Sequence, residues 1–119
     1  MKGEKFIEKR RYPRIEKTLP LKIYADKYDI CTETRNLSCN GVYCTVKEDI
    51  PPLTKLAIAI ILPQDSRQAS YLKVNCKGVV VRQEKNSLGG FNIAIFFNDI
   101  NPQEKNKLAR YINKHLSQD

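Results

Sequence analysis

One histidine, His115, stands among 119 residues, and the four cysteines, Cys31, Cys39, Cys44 and Cys76, fall at irregular intervals without a Cys-x-x-Cys pair. Structural zinc needs closely paired Cys or His ligands, so no metal site is expected, and the thiols read as reduced side chains on or beside strands. No histidine accompanies Ser or Cys in a nucleophilic pattern, no Gly-rich phosphate loop precedes a helix, and no carboxylate pair stands out. The reading is therefore of a protein that is not an enzyme, with no catalytic residues and no cofactor. The longest apolar run, Leu56 to Leu62, is far too short to cross a bilayer, so membrane insertion is not expected. The opening Met1-Lys2-Gly3-Glu4-Lys5 is charged and leads into no apolar core with a small-residue cleavage site. A secretory signal is thus not read, and the expected location is the cytoplasm. There is neither an internal repeat nor a low-complexity tract.

What the chain does have is positive charge. The formal net charge is +8, and residues 1 to 17 hold seven Lys or Arg against three Glu, a net of +4. Half of the excess sits in a leading stretch with few apolar anchors. The expected organisation is a flexible basic arm over residues 1–17 and one compact domain over residues 18–119, a length that buries a real core without metal or disulfide. An anionic partner is implied.

Beyond the arm the hydrophobic pattern has a period of two. Leu19, Leu21, Ile23 and Ala25 alternate with Pro20, Lys22 and Tyr24, as in a strand with one buried face. Ile30 to Leu37 is β-prone but more polar, and Gly41 to Val46 reads as the next strand, which leaves residues 37–41 as a tight connection. Pro51-Pro52 forces a loop. Leu56 to Leu62, Tyr71 to Gln83 and Gly90 to Phe97 complete the strands, with turns at Pro63 to Gln68 and Asn86 to Gly90. The period then changes. Asn101 can cap a helix, Pro102 suits its first turn, and Glu104 stands where a capping-box partner would reach back. Leu108, Ala109, Ile112 and Leu116 form one stripe, with Lys105, Lys107, Arg110 and Lys114 directed to water. Consecutive short strands and one late helix argue for an antiparallel barrel or sandwich, the barrel being expected, with the helix covering an end or side.

Two short stretches carry a functional signal. Arg10-Arg11-Tyr12-Pro13-Arg14 contains Arg-x-x-x-Arg through Arg10 and Arg14, and Asn36-Leu37-Ser38-Cys39-Asn40-Gly41 fits (Asp or Asn)-x-Ser-x-x-Gly through Asn36, Ser38 and Gly41. Either alone is weak, but their order and their separation by a predicted strand pair resemble the paired signature of PilZ domains. The likeness runs from Arg10 to Leu116 and includes Gly90 to Phe97, which is similar to the late family strand that begins at glycine and ends in phenylalanine. The resemblance implies a six-stranded antiparallel β-barrel with a C-terminal helix. It also implies a cytoplasmic bacterial receptor or adaptor that binds the second messenger cyclic di-GMP, orders its arm upon it and signals to a downstream protein partner.

The residue chemistry suits that ligand. Pro13 keeps Arg10 to Arg14 out of a helix interior, so the two guanidinium groups lie on one side of an extended segment, about 13 Å apart at ~3.3 Å per residue. Each planar fork can pair with phosphate oxygens, bond the O6/N7 edge of guanine or stack on a purine, and Arg11 can add to them. The Asn36 amide can donate to and accept from a guanine edge, and the Ser38 hydroxyl can bond a base or phosphate oxygen. Gly41 answers a need for positive φ or for close backbone approach. Asn40 reads as a turn residue, Arg35 and Arg82 as solvated strand residues either of which could border the pocket, and Tyr12 as either a base-stacking ring or a pin for the arm. The alternative is a small basic β-barrel that binds RNA or single-stranded DNA. Nucleic acid is disfavoured because such platforms expose aromatics between basic residues, whereas Phe91, Phe96 and Phe97 are read as part of a core strand. A third reading is a PilZ-like module that works by protein contact alone, against which the intact motif residues speak.

Overall fold

The computed structural model describes residues 13–64 and 70–116. Its strands are β1 (Pro20–Ala25), β2 (Tyr28–Leu37), β3 (Gly41–Val46), β4 (Lys55–Pro63), β5 (Tyr71–Lys85) and β6 (Phe91–Asp99), and its helix is α1 (Pro102–Leu116). All neighbouring strands are antiparallel, in a closed ring ordered β1-β2-β3-β6-β5-β4. The expected barrel with a C-terminal helix is the fold found.

Strand alternation decides what lies inside. Leu21 and Ile23 of β1 stand beside Ile60 and Ile58 of β4, and with Val74, Val80, Ile93 and Ile95 they fill a barrel interior that is almost wholly shut off from solvent. The apolar run of β4 is continuous because Ala57, Ala59 and Ile61 lie on the outer face between taller neighbours. On β6 the same alternation puts Ile93, Ile95 and Phe97 inward but leaves Phe96 44 % exposed. That corrects the sequence reading of Phe96 as a core residue: in a strand of period two, Phe96 and Phe97 cannot share a face.

The helix buries Leu108, Tyr111 and Ile112. Asn101 caps it as expected, its Oδ1 accepting from the Gln103 amide at 2.8 Å. Glu104, in contrast, is drawn to the sheet instead of to the cap. Its Oε1 accepts from the Asn75 amide at 2.8 Å, while Lys107 donates to Glu104 Oε2 at 2.9 Å and to the Lys73 carbonyl at 3.1 Å. The reason lies in the pairing: the first half of β5, before Lys77, bonds β4 but has no partner in β6. Side chains of α1 satisfy the backbone groups left open there. Lys107 is accordingly half-buried, where the sequence pattern directed it to water.

Of the stretch expected as an arm, residues 13–17 fall within the described part. Ile15 is buried and bridges Leu37 through reciprocal backbone bonds of 2.9 and 3.0 Å. Thr34, also buried, accepts from the Leu19 amide at 3.0 Å and donates to the Lys17 carbonyl. The chain is therefore fixed to β2 from Ile15 onward. No described helix is long and apolar enough to cross a membrane.

Candidate functional site

The second motif occupies the end of β2, the turn and the first residue of β3. Asn36 pairs with Tyr43 just after an irregularity in β2 that lies between Thr34 and Asn36. Its side chain is half-buried and makes no hydrogen bond to another described residue. The next residues close a compact turn: the Ser38 amide donates to the Gly41 carbonyl at 2.9 Å, and the buried Ser38 hydroxyl donates to Asn40 Oδ1 at 2.7 Å while accepting from the Asn40 amide at 3.2 Å. The single hydroxyl proton of Ser38 is thus spent within the turn, and Asn40 is its partner. The Asn40 carbonyl in turn accepts from the Phe97 amide at 2.9 Å, fastening the turn to β6.

Gly41 is needed for close approach. A Cβ on Gly41 would lie 2.7 Å from the Ile95 carbonyl oxygen of β6. Glycine here lets two strands close the ring, and the crowding comes from the protein's own backbone.

Arg14 enters the same place from the other motif. Its exposed side chain, Asn36, Ser38, Asn40 and Gly41 all border one open depression of about 200 Å³ on the outer face of β3, β6 and β5. Segments more than 20 residues apart in sequence therefore meet, as the Ile15–Leu37 bridge requires. Arg10 and Arg11 lie outside the described residues. Arg35 points elsewhere, its Nη1 donating to Thr45 Oγ1 at 3.3 Å.

The depression has further walls, of which the sequence reading offers Arg82 alone as a border residue. Tyr43, Val81, Arg82 and Phe96 complete it. The Arg82 guanidinium lies 5.8 Å from the centre of the Tyr43 ring, a cation–π distance, and the Tyr43 hydroxyl donates to Glu84 Oε1 at 3.5 Å. Exposed Phe96 and Val81, 44 % and 55 %, supply the apolar part. An irregularity in the β5–β6 pairing between Val80 and Arg82 sets these side chains, a feature with no distinctive residue to announce it. The face thus offers donors for anionic oxygens, an amide with both polarities, and flat apolar surface on which a base can lie.

Burial pushes the Cys44 thiol up to about 12 and, with the nearby carboxylates of Glu104 and Asp99, the Cys76 thiol to about 12. Cys39, in the turn itself, is raised by burial against the opposing effect of Lys105. Among the described residues no cluster of three or more His, Cys, Asp or Glu side chains is disposed to hold a metal ion.

The closed barrel with its late helix, and Arg14 standing beside the second motif, are features of a PilZ-type barrel, and the chain belongs to that family: the PilZ domain model matches residues 8–114. Several solved structures share the fold. The inhibitor of motility MotI/DgrA of Bacillus subtilis aligns with a TM-score of 0.81 and 18 % identity over 92 % of this chain. The PilZ domain of Escherichia coli YcgR, solved with c-di-GMP, aligns at 0.60 and 15 % identity over 88 % of this chain and 89 % of its own. PlzA of Borreliella burgdorferi, in complex with c-di-GMP, gives 0.59 and 16 % over 94 % of this chain. This chain spans about half of two of these proteins, 52 % of MotI/DgrA and 55 % of PlzA. No curated protein matches the sequence.

Proposed function

We propose that this protein is a cytoplasmic bacterial receptor for cyclic di-GMP that passes its ligand state to a protein partner. The observation that carries the reading is the convergence of Arg14 with Asn36, Ser38 and Gly41 on one depression. Family membership, and the c-di-GMP in the similar YcgR and PlzA structures, support the choice of ligand. In this reading Arg14 takes a phosphate or the O6/N7 edge of a guanine, and the Asn36 amide reads a base edge. Ser38 and Gly41 contribute by shaping the turn, and Phe96 with Val81 provides an apolar bed. The depression holds only part of a dinucleotide, so residues ahead of Arg14, Arg10 and Arg11 among them, close over the remainder. Ordering on the ligand of the residues ahead of Arg14 then changes the surface offered to the partner.

Calorimetric titration of the full chain with cyclic di-GMP tests this. Saturable heat is expected, and Arg14→Ala is expected to weaken binding roughly five- to 150-fold, the loss of about 1 to 3 kcal/mol that goes with one bidentate contact. A folded wild-type sample with no saturable heat would overturn the proposal.

The exposed Phe96 beside Arg82 and Tyr43 also favours a second reading, a stacking platform for single-stranded nucleic acid. Strong, salt-sensitive retention of oligonucleotides that cyclic di-GMP fails to displace would select it.

A further inference from the structure

The ring order sets β1 and β4 on the opposite side of the barrel from β3 and β6. This far face has a marked relief. Register places Tyr24, Ala57 and Lys77 in one outward-facing row across β1, β4 and β5, and Lys22, Ala59 and Asn75 in the next. Small residues on the middle strand between longer ones on both sides make a furrow along β4. Ala59 faces outward in it, yet is only 3 % exposed. Two adjoining depressions of about 670 and 230 Å³ meet at Tyr24 along this furrow.

The rim is basic. Lys22, Lys27, Lys55, Lys73 and Lys77 border the two depressions. Of these, only Lys22 has an ion pair with another described residue, to exposed Asp29 at 3.5 Å, and it also lies 5.4 Å from the centre of the Tyr24 ring. Asp26 and Asp99 lie at the end of the furrow near the β1–β2 turn. Lysine heads above an aliphatic floor call for an occupant with carboxylates along its edges and small aliphatic groups on its inward side.

We propose that this furrow docks an acidic amphipathic helix of a partner protein. The walls on β1 and β5 are two strand spacings apart, roughly 10 Å, and the floor from Lys55 to Ile61 runs about 20 Å, dimensions that suit some 13 residues of helix. Other occupants fit worse. The chain's own residues 1–17 carry a net +4, and a second copy of a chain with net +8 would bring lysines against lysines. A flat bilayer does not reach a recessed floor, and single-stranded nucleic acid finds no arginine among the lining residues, whose two aromatic rings, Tyr24 and Tyr28, both lie toward the β1–β2 turn rather than spaced along the furrow. The inference rests on the proposed function only in giving the partner its chemistry and its place.

The test titrates the isotope-labelled full chain with a 14-residue peptide bearing Leu on one helical face and Glu on the other. The parallel probes are a scrambled peptide of the same composition, anionic phosphatidylglycerol vesicles and a 14-nucleotide oligo-dT. Saturable binding of the amphipathic peptide is expected, with amide shifts centred on Lys22, Ala57, Ala59, Lys73 and Lys77. The exposed double variant K73E/K77E is expected to bind at least tenfold more weakly, with its cyclic di-GMP heats unchanged. Equal binding by the scrambled peptide, shifts centred on Tyr43 and Phe96, an unaffected K73E/K77E, or preferential occupation of the furrow by vesicles or oligo-dT would each overturn the proposal. Absence of cyclic di-GMP heat in wild-type protein that still binds the peptide would sink the ligand reading and leave the furrow assignment standing.

Discussion

At the scale of single residues, the backbone explains side chains that a motif alone makes look like ligand contacts. With Ile95 O at 2.7 Å from the site of a Cβ, Gly41→Ala forces β3 and β6 apart. It should lower stability by about 2 kcal/mol in urea denaturation without any ligand present, the usual size of an overpacking penalty. Leu53 is the converse case. It sits at φ 75° in the turn closed by Thr54 N to Pro51 O at 3.3 Å, a left-handed position that suits Asn or Gly, and its side chain is 78 % exposed. Leu53→Asn removes strain while exposing nothing that was buried, and a stabilisation of about 0.5 to 1 kcal/mol is the expected result by the same assay. Thiol chemistry sorts by position as well. Cys31 is exposed on β2, whereas Cys44 is buried with its thiol raised to about 12, so alkylation of native protein at pH 8 should label Cys31 and spare Cys44 until the chain unfolds. The need for glycine at position 41 was legible in the motif, but its cause was not, because β3–β6 pairing joins residues some fifty positions apart.

At the scale of elements, the docking of α1 depends on a carboxylate. The bond from the Asn75 amide, and then that from Lys107, hold Glu104 below the ordinary glutamate range. A carboxyl lowered in this way adds stability above its unfolded value and gives it up as pH falls through the lower folded value. Glu104→Gln should therefore cost about 1 kcal/mol at neutral pH, and the difference from wild type should vanish on strong acidification, as followed by denaturation at a series of pH values. Strand positions were readable because burial on one face imposes period two on Leu19 to Ala25, and the helix because Leu108, Ile112 and Leu116 recur at helical spacing. The role of Glu104 was not readable. A capping partner and a brace for a neighbouring strand have the same sequence signature, and the choice depends on where β6 ends relative to β5.

At the scale of the whole molecule, closure of the ring creates both surfaces. Pairing of β1 with β4 and of β3 with β6 cannot be read from local pattern, so Tyr43 and Phe96 gave no sign that they would stand beside Arg14 and Asn36, and Arg82 was only one of two strand arginines that could border the pocket. The motif residues were visible because they are few and regularly spaced; the walls around them arise from register and from two irregularities in β5–β6 pairing. The bridge between Ile15 and Leu37 has one more consequence. It acts as a mooring that sets the direction of Arg14, since successive side chains of an extended segment alternate in direction. Slipping one extra glycine between Arg14 and Ile15 would leave the mooring and the barrel untouched but turn the Arg14 guanidinium to the other side of its segment, away from the depression. Such a protein would melt like wild type and be deaf to the dinucleotide.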